Sequence, residues 1–248
     1  MSDYGEFARF YDSLTDNVEY DERCDYVHKL LRKNGISDGI LLDLACGTGS
    51  FSVRMAERGF EVIGVDSSCG MLAKAQEKAM EHGKNILFLC QDMCQLDLFG
   101  TVKATICMLD SINHLTSAED VLNTFKKVSL FTEPGGLFIF DANTVYKHRK
   151  VLADNTFVYD TDDVYCVWQN KLQRDGFTTD ISLDFFYTLG NGRYGRSGES
   201  FSEKAYPLSV LEDFLSKAGF EVVGIYNELT ENKPDEKTER AVFTAKKI

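Results

Sequence analysis

The sequence predicts an α/β fold: a parallel sheet followed by an antiparallel insertion. Between residues 39 and 141, short apolar segments alternate with segments of helical periodicity, which is typical of a parallel sheet covered on both faces by helices. Between about 155 and 206, shorter runs alternate apolar and polar residues between turn signals, which favours antiparallel strands. After Pro207 the α/β pattern returns, so we expect one domain spanning residues 1–248.

Apolar runs predict the strands, and glycines mark the ends of some of the predicted helices. Buried strands are predicted at 39–45, 60–66, 85–92, 104–110 and 135–141. Helices are predicted at 50–59, 68–83 and 117–131, the first two ending at glycines. Asp175-Gly176 and Asn191-Gly192 are hairpin signals inside an antiparallel insertion of about 153–206. A helix at 208–220 and strands at 221–229 and 239–247 complete the chain.

Composition and charge narrow the function classes. The net charge of −12 argues against a nucleic-acid partner, and the compact basic stretches at 126–128 and 146–151 are interpreted as solvated helix faces. The seven cysteines are odd in number and lack zinc-ligand spacing, which predicts reduced thiols, no metal site and a cytoplasmic protein. The N-terminus lacks a signal-peptide pattern, and no apolar run is long enough for a membrane span.

The segment LLDLACGTGSF (41–51) runs from a predicted strand into a glycine turn, where open α/β sheets bind ligands. A P-loop is excluded because no lysine follows the glycines. A dinucleotide site is disfavoured, because Ser52 replaces its third glycine and the Asp43 carboxylate would repel a pyrophosphate. An ammonium or sulfonium ligand would be attracted by that carboxylate. A tight turn without a ligand is the structural alternative.

Acidic residues also end the next two predicted strands. Asp66 is placed to accept hydrogen bonds from the vicinal hydroxyls of a ribose, and Asp92 to meet an adenine amino group. Met71 and Met93 could contact the adenine faces. Each carboxylate alone could instead cap a following helix. Their succession along the sheet edge favours a nucleoside-containing ligand.

Together these motifs resemble class I S-adenosylmethionine-dependent methyltransferases. The resemblance lies in LLDLACGTG (41–49), VIGVDSS (62–68), CQDM (90–93), ICMLDSINHL (106–115) and PGGLFIFD (134–141). It implies S-adenosylmethionine as the cofactor and a Rossmann-like seven-stranded sheet, mostly parallel with one antiparallel strand. The cofactor-binding residues that it implies are Tyr11, Asp43, Ala45, Gly47, Gly49, Asp66, Ser67, Met71, Gln91, Asp92, Met93 and Leu109.

The acceptor side is similar to small-molecule N-methyltransferases, including sugar-amine and glycine N-methyltransferases. The similar segments are FARFYDSL (7–14), LDSINHL (109–115) and the late insertion. The resemblance implies that an N-terminal helical lid, about residues 1–35, closes over the cofactor and that the insertion covers the acceptor. Tyr11 and His114 are the candidate catalytic residues, with core packing and helix capping as their structural alternatives. Asp110 is a weaker candidate, and the insertion aromatics Trp168, Phe185, Phe186 and Tyr187 are expected to pack the sheet.

The expected function is in-line methyl transfer to a small-molecule acceptor, with an amine favoured by analogy. The asparagine-proline-proline-tyrosine signature of amide and adenine-N6 methyltransferases is absent, and LDSINHL stands in its place. Three alternatives stay open: a nicotinamide oxidoreductase, an RNA or protein methyltransferase, and a non-catalytic S-adenosylmethionine-binding protein. The identity of the acceptor and the oligomeric state do not follow from the sequence.

Overall fold

The computed structural model describes residues 5–248, with side chains from residue 7 onward. The helices of this part of the chain are α1 Gly5–Leu14, α2 Tyr20–Lys33, α3 Ser50–Glu57, α4 Cys69–Glu81, α5 Ala118–Phe131, α6 Val145–Lys147 and α7 Leu208–Lys217. The strands are β1 Gly39–Leu44, β2 Phe60–Asp66, β3 Leu87–Cys90, β4 Val102–Cys107, β5 Thr132–Asn143, β6 Thr156–Asp160, β7 Tyr165–Leu172, β8 Thr178–Gly190, β9 Arg193–Lys204, β10 Phe220–Asn227 and β11 Arg240–Lys247.

Seven strands form one sheet in the order β10-β11-β5-β4-β1-β2-β3. Neighbouring strands from β5 to β3 are parallel, whereas β11 runs antiparallel to both β5 and β10. This confirms the predicted Rossmann-like sheet with one antiparallel strand. The strand order reverses beside β1, so the ends of β1, β2 and β4 open a crevice where such sheets bind ligands.

Apolar side chains cover both faces of this sheet, as the continuous apolar runs of its strands require. One cluster packs Leu42 and Phe138 of the sheet against Phe125 of α5. The other packs Leu41 and Ile106 against α2, α3 and α4 on the opposite face. The helices therefore hold the strand ends rigidly around the crevice.

The insertion forms a second, four-stranded antiparallel sheet in the order β6-β7-β8-β9. Both predicted hairpin signals lie in its turns, where Gly176, Asn191 and Gly192 have positive φ angles that such turns need. Phe185 of β8 is fully buried, and its ring centroid lies 6.1 Å from that of Phe10 on α1. The second sheet therefore packs against the N-terminal helix through a small core of its own.

Two predictions about local structure were wrong in part. The strand predicted at 104–110 ends at Cys107, because Leu109 and Asp110 adopt left-handed φ angles of 56° and 53° that no strand contains. The basic stretch at 146–151 is solvated only in part: Arg149 and Lys150 are exposed, but His148 is completely buried and Lys147 faces a cavity. Packing against the second sheet buries part of this stretch, although its charges alone predict exposure to solvent.

None of the helices within residues 5–248 has the length and apolar character to cross a bilayer.

Candidate active site

Three adjoining cavities of about 150, 30 and 170 Å³ lie at the carboxyl ends of β1, β2, β3 and β4. Ala45 contributes to all three, and we call them together the strand-end cleft. Of the twelve cofactor residues expected from the sequence, eleven line this cleft: Tyr11, Asp43, Ala45, Gly47, Asp66, Ser67, Met71, Gln91, Asp92, Met93 and Leu109.

Gly49, the twelfth, lies outside the cleft lining. A Cβ atom built on it would lie 2.9 Å from the Cβ of Ala75 on α4, so this glycine allows α3 and α4 to approach closely. Gly47 differs, because a Cβ atom there would meet nothing within 4 Å and would project into open space. Ala45, Gly47 and Gly49 all have left-handed φ angles, which bend the chain sharply between β1 and α3.

Asp66 joins the glycine turn to the turn after β2. Its carboxylate accepts the backbone N–H of Gly47 at 2.9 Å and that of Ser68 at 2.8 Å. Each of its oxygens keeps acceptor capacity, since an ionised carboxylate has about four lone-pair sites. Burial raises the pKa of Asp66, which marks a carboxylate held at the edge of a water-poor cleft.

Asp43 lies below the glycine turn. It is 2% exposed and accepts a hydrogen bond from the Ser52 hydroxyl at 2.5 Å. Burial raises its pKa to about 7, so a positively charged ligand group above it would favour the ionised form. The Ser52 hydroxyl therefore supports the Asp43 carboxylate.

The far end of the cleft is formed by the segment after β3. Asp92 caps the single turn Met93–Gln95 by accepting the backbone N–H of Cys94 at 2.8 Å. The side-chain amide of Gln91 is engaged elsewhere, because it exchanges two hydrogen bonds with the backbone of Asp97. Gln91 thus braces the loop that carries Asp92 and Met93.

Helix α1 lies over the cleft. Tyr11 and Phe7 from this helix line it, and their rings meet edge to face at 5.3 Å. Asp12 anchors the helix by accepting a hydrogen bond from Thr48 at 2.6 Å and pairing with Lys78 of α4 at 2.9 Å. Burial raises the pKa of Tyr11 well above its ordinary value, so the phenol stays protonated at neutral pH.

A further cavity of about 300 Å³ lies between the two sheets, and we call it the inter-sheet cavity. Much of its wall is apolar or aromatic, including Phe7, Leu14, Leu152, Tyr159, Trp168, Leu183 and Phe201. Trp168 lines the cavity, so this aromatic does more than pack its sheet. The charged residues of the wall and Asn143 contact one another in pairs, His114 with Glu203, Lys147 and Asp110 with Asn143, and Asp110 with Arg240.

Tyr11, Leu109 and His114 line both the strand-end cleft and the inter-sheet cavity. The imidazole of His114 is 35% exposed and packs on the Phe201 ring at 5.1 Å. Its Nε2 atom lies 3.6 Å from Oε1 of Glu203. These residues therefore stand at the boundary between the two spaces.

Glu203 is 4% exposed, between two histidines. Its Oε2 atom lies 4.0 Å from Nε2 of the buried His148. Burial and the neighbouring charge of Asp110 raise the pKa of Glu203 to about 8, while burial lowers the pKa of His114 and brings that of His148 to about 4. The carboxyl group and both imidazoles are therefore neutral near pH 7.

Behind the boundary lies a buried ion network. Arg240 pairs with Asp110 at 2.8 Å and with Asp141 at 2.9 Å. Asp141 in turn accepts the backbone N–H groups of Leu109 and Asp110, which holds both residues in their left-handed conformation. Burial alone would raise the pKa of Asp110, but the Arg240 guanidinium lowers it to about 2.

Lys147 is the cation of the cavity that has no carboxylate partner. Its ammonium group donates to the Asn143 amide oxygen at 3.0 Å and, among the side chains described for residues 7–248, forms no ion pair. Burial and the positive charge of Arg240 lower its pKa. Sequence reasoning missed Lys147, Glu203 and Arg240; the only signal available was that Asp141, like Asp66, ends a predicted strand.

Comparison with known proteins identifies the family. A family model described as a methyltransferase domain matches residues 41–136. YqeM of Bacillus subtilis (strain 168), a methyltransferase by name, is 35% identical over 98% of this chain and 97% of its own length. The chain belongs to the class I S-adenosylmethionine-dependent methyltransferases.

Two further relatives agree with this assignment. A crystal structure of an S-adenosylmethionine-dependent methyltransferase from Clostridium acetobutylicum ATCC 824 superposes with a TM-score of 0.88, at 31% identity and 98% coverage of both chains. Glycine/sarcosine N-methyltransferase of Halorhodospira halochloris is 34% identical to the present chain. The match covers 53% of the present chain and 51% of the Halorhodospira protein. The family excludes the nicotinamide oxidoreductase that the glycine turn alone left open.

The cofactor of the methyltransferase is S-adenosylmethionine. The strand-end cleft fits this molecule on its own chemistry. Open space above Gly47 admits a ligand against the backbone, and Asp66 keeps acceptor capacity at the end of β2. The buried carboxyl group of Asp43 below the turn suits a ligand with positive charge.

Proposed function

We propose that this methyltransferase methylates the nitrogen of a small-molecule amine bound in the inter-sheet cavity. The observation that carries the proposal is the His114–Glu203 pair, 3.6 Å apart, at the boundary between the two spaces. The glycine/sarcosine N-methyltransferase of Halorhodospira halochloris is a relative whose name describes nitrogen methylation, which supports the same acceptor class.

The cofactor assignment follows the cleft from end to end. Asp66 would accept the ribose hydroxyls, and Asp92 with Met93 would enclose the adenine. Ala45 and Gly47 would face the methionine part, with Asp43 below it. The other lining residues from the expected set, Ser67, Met71, Gln91, Leu109 and Tyr11, would complete the walls.

An amine must be neutral before its nitrogen can act as a nucleophile. His114 is suited to accept its proton, because burial lowers the pKa of the imidazole and keeps a lone pair free. Glu203, next to it, is neutral in the empty cavity, but a positive charge formed on the imidazole would favour its ionised form, and that carboxylate would then stabilise the protonated imidazole, which Gln at this position could not do. When bound, S-adenosylmethionine supplies a methyl group already activated by its positively charged sulfur.

Alignment is the remaining requirement, and it depends on rigid neighbours. Good orientation of two reacting groups can lower a barrier by about 7–11 kcal/mol. Leu109, at the boundary, is fixed by its backbone hydrogen bond to Asp141, which Arg240 holds in turn. Tyr11 would close the other side as part of α1.

Lys147 would select the remainder of the acceptor. The buried Lys147 ammonium group has no described carboxylate within ion-pair distance, so it suits an anionic substituent, such as a carboxylate or phosphate. The apolar and aromatic residues of the wall suit an acceptor with an apolar body. We therefore expect the acceptor amine to carry an anionic group.

The test is turnover with a panel of amines, in pairs that differ only in a carboxylate, with methylated products identified by mass spectrometry. His114→Ala and Glu203→Gln should lower turnover by about 10²-fold or more while S-adenosylmethionine affinity holds. Lys147→Met should lower turnover only for the carboxylate-bearing member of each pair. His82→Ala, a histidine at the surface beside Glu57, is the matched control.

Each outcome decides between the alternatives. Binding of S-adenosylmethionine without any methylated amine, together with methylation of RNA or protein substrates, would replace the proposed acceptor class. Binding of S-adenosylmethionine without methylation of any substrate would support the non-catalytic alternative. Equal turnover by His114→Ala and the wild type would mean that His114 has only a structural role, packing on Phe201.

A further inference from the structure

Two free cysteines meet at the outer rim of the strand-end cleft. Cys69 is the first residue of α4 and Cys90 is the last residue of β3. Their sulfur atoms lie 2.6 Å apart, and both side chains are exposed. The other cysteines described are buried or half-buried: Cys24, Cys46, Cys94, Cys107 and Cys166.

The fold itself brings the two thiols together. Strands β2 and β3 are parallel neighbours, with Asp66 beside Cys90 in register. The chain then turns through Ser67 and Ser68, and the Ser68 hydroxyl caps α4 by accepting the Met71 N–H at 3.2 Å. This cap places Cys69 over the end of β3, where the Cys90 thiol also donates to the Ser67 carbonyl at 3.6 Å.

We propose that Cys69 and Cys90 form a reversible disulfide that controls release of the spent cofactor. The oxidant is a low-molecular-weight disulfide such as oxidised glutathione. One protein thiolate attacks it, giving a mixed disulfide and one released thiol. The second protein thiol loses its proton and displaces the other half, so that the protein loses two hydrogens and the oxidant leaves as two thiols.

The geometry favours this pair over any other in the part of the chain described. A disulfide has a sulfur–sulfur bond of about 2.03–2.05 Å, so the sulfurs need to approach by only about half an ångström. Exposure gives the oxidant access, which Cys46 and Cys107 lack in their buried positions. Cys94, four residues from Cys90, faces α5 and contacts Thr124 at 3.4 Å.

The bond would join two walls of the strand-end cleft. Ser67, Ser68 and Met71 line it on the side of Cys69. Asp92 and Met93 line it on the side of Cys90. A ligand enclosed between these walls leaves when they separate, and in many enzymes product release limits turnover. The disulfide should therefore slow the dissociation of S-adenosylhomocysteine.

The experiment compares the wild type with Cys69→Ser, Cys90→Ser and Cys94→Ser after incubation with oxidised glutathione. In the wild type and Cys94→Ser we expect the mass of two hydrogens to be lost and a Cys69–Cys90 cross-link in the peptide map. Each of the other two variants should instead retain glutathione on its remaining thiol, because no second thiol can displace it. Reduction should reverse every adduct.

The second measurement is the dissociation rate of S-adenosylhomocysteine, by stopped-flow competition, in the oxidised and reduced proteins. A several-fold slower release is expected in the oxidised wild type and in oxidised Cys94→Ser. In Cys69→Ser the release rate should be the same with the glutathione adduct and after its reductive removal. Stable glutathione adducts on the wild type, or a cross-link elsewhere, would overturn the disulfide. An unchanged release rate after cross-linking would overturn its control of the cofactor. Neither the cross-link nor the release rate depends on which acceptor the enzyme methylates, so both tests are independent of the proposed amine acceptor.

Discussion

The Asp66 carboxylate on β2 lies 2.9 Å from the backbone nitrogen of Gly47, in the turn after β1. One side chain thus connects the ends of two neighbouring strands and fixes the glycine turn beside the cleft. The same carboxylate accepts the Ser68 N–H, so the start of α4 is held by it as well. Because Asp66 both shapes the cleft and faces it, we expect cofactor affinity to depend on it.

Replacement of Asp66 by alanine should therefore weaken S-adenosylmethionine binding by roughly 2–3 kcal/mol, as expected for losing hydrogen bonds to a charged acceptor. Titration calorimetry measures this directly. Asp213→Ala, which removes an exposed carboxylate paired with Lys217 on α7, is the control and should leave the affinity unchanged. A loss of only a few tenths of a kcal/mol would contradict the ribose assignment.

The two glycines of the turn should respond differently to alanine. Gly49→Ala adds a Cβ atom 2.9 Å from that of Ala75 in a strained backbone, so it should lower the free energy of unfolding by about 2–4 kcal/mol. Gly47→Ala carries only the strain, about 1–2 kcal/mol, but places a methyl group in the cleft and should weaken cofactor binding. Urea unfolding and calorimetry separate the effects; equal destabilisation by both changes would contradict this account.

The sheet and the strand-end cleft were predictable because their signals are local. Apolar runs of strand length specify buried parallel strands, and the glycines and Asp66 follow those runs directly in the chain. Eleven expected residues line the cleft for this reason. Gly49 shows the limit, since its contact with Ala75 depends on how α4 packs and not on the turn itself.

The inter-sheet cavity could not be predicted in the same way. Glu203 reaches His114 from the end of an inserted sheet, and Arg240 reaches Asp110 across 130 positions of sequence. Such contacts depend on tertiary packing, which no local period encodes. Lys147 was misjudged for the same reason: its charge suggested a solvated helix face, whereas the second sheet encloses it.

The raised pKa of Glu203 predicts a pH-dependent loss of stability. The folded protein holds a proton on this carboxyl group up to about pH 8, whereas the unfolded chain releases it near 4.5. Between these values the folded state binds more protons, so the free energy of unfolding falls as the pH rises. Glu203→Gln cannot ionise and should escape this loss.

The measurement is urea unfolding of the wild type and Glu203→Gln from pH 4 to pH 9. The two should agree near pH 4, and the variant should be more stable by roughly a few kcal/mol at pH 9. Asp110, His114, His148 and Lys147 surround the site in both proteins, so their titration largely cancels in the difference. Glu212→Gln, an exposed change on α7, should show no such trend. A parallel pH course for the wild type and Glu203→Gln would contradict burial of the carboxyl group.

Helix α1 is held over the cleft by a lysine of α4. Lys78 on α4 contacts Asp12 at 2.9 Å, Thr48 at 3.1 Å and Ser50 at 2.7 Å, which links α1 to the glycine turn and to the start of α3. Lys78→Met keeps the apolar stem but removes these contacts. Because Asp12 is half exposed, the change should cost at most about 1 kcal/mol in the free energy of unfolding.

The main effect of Lys78→Met should be on the mobility of α1 and not on global stability. Since Tyr11 of α1 forms part of the cleft wall, a loosened helix should weaken S-adenosylmethionine binding and speed hydrogen exchange in residues 5–14. Lys74→Met is the matched control, because Lys74 lies on the same helix and pairs with the exposed Glu77. Faster exchange in residues 5–14 for Lys78→Met alone, reversed by saturating cofactor, is the expected result. Equal exchange in the two variants would mean that packing of Phe10 against the second sheet, and not the Lys78–Asp12 contact, holds α1 in place.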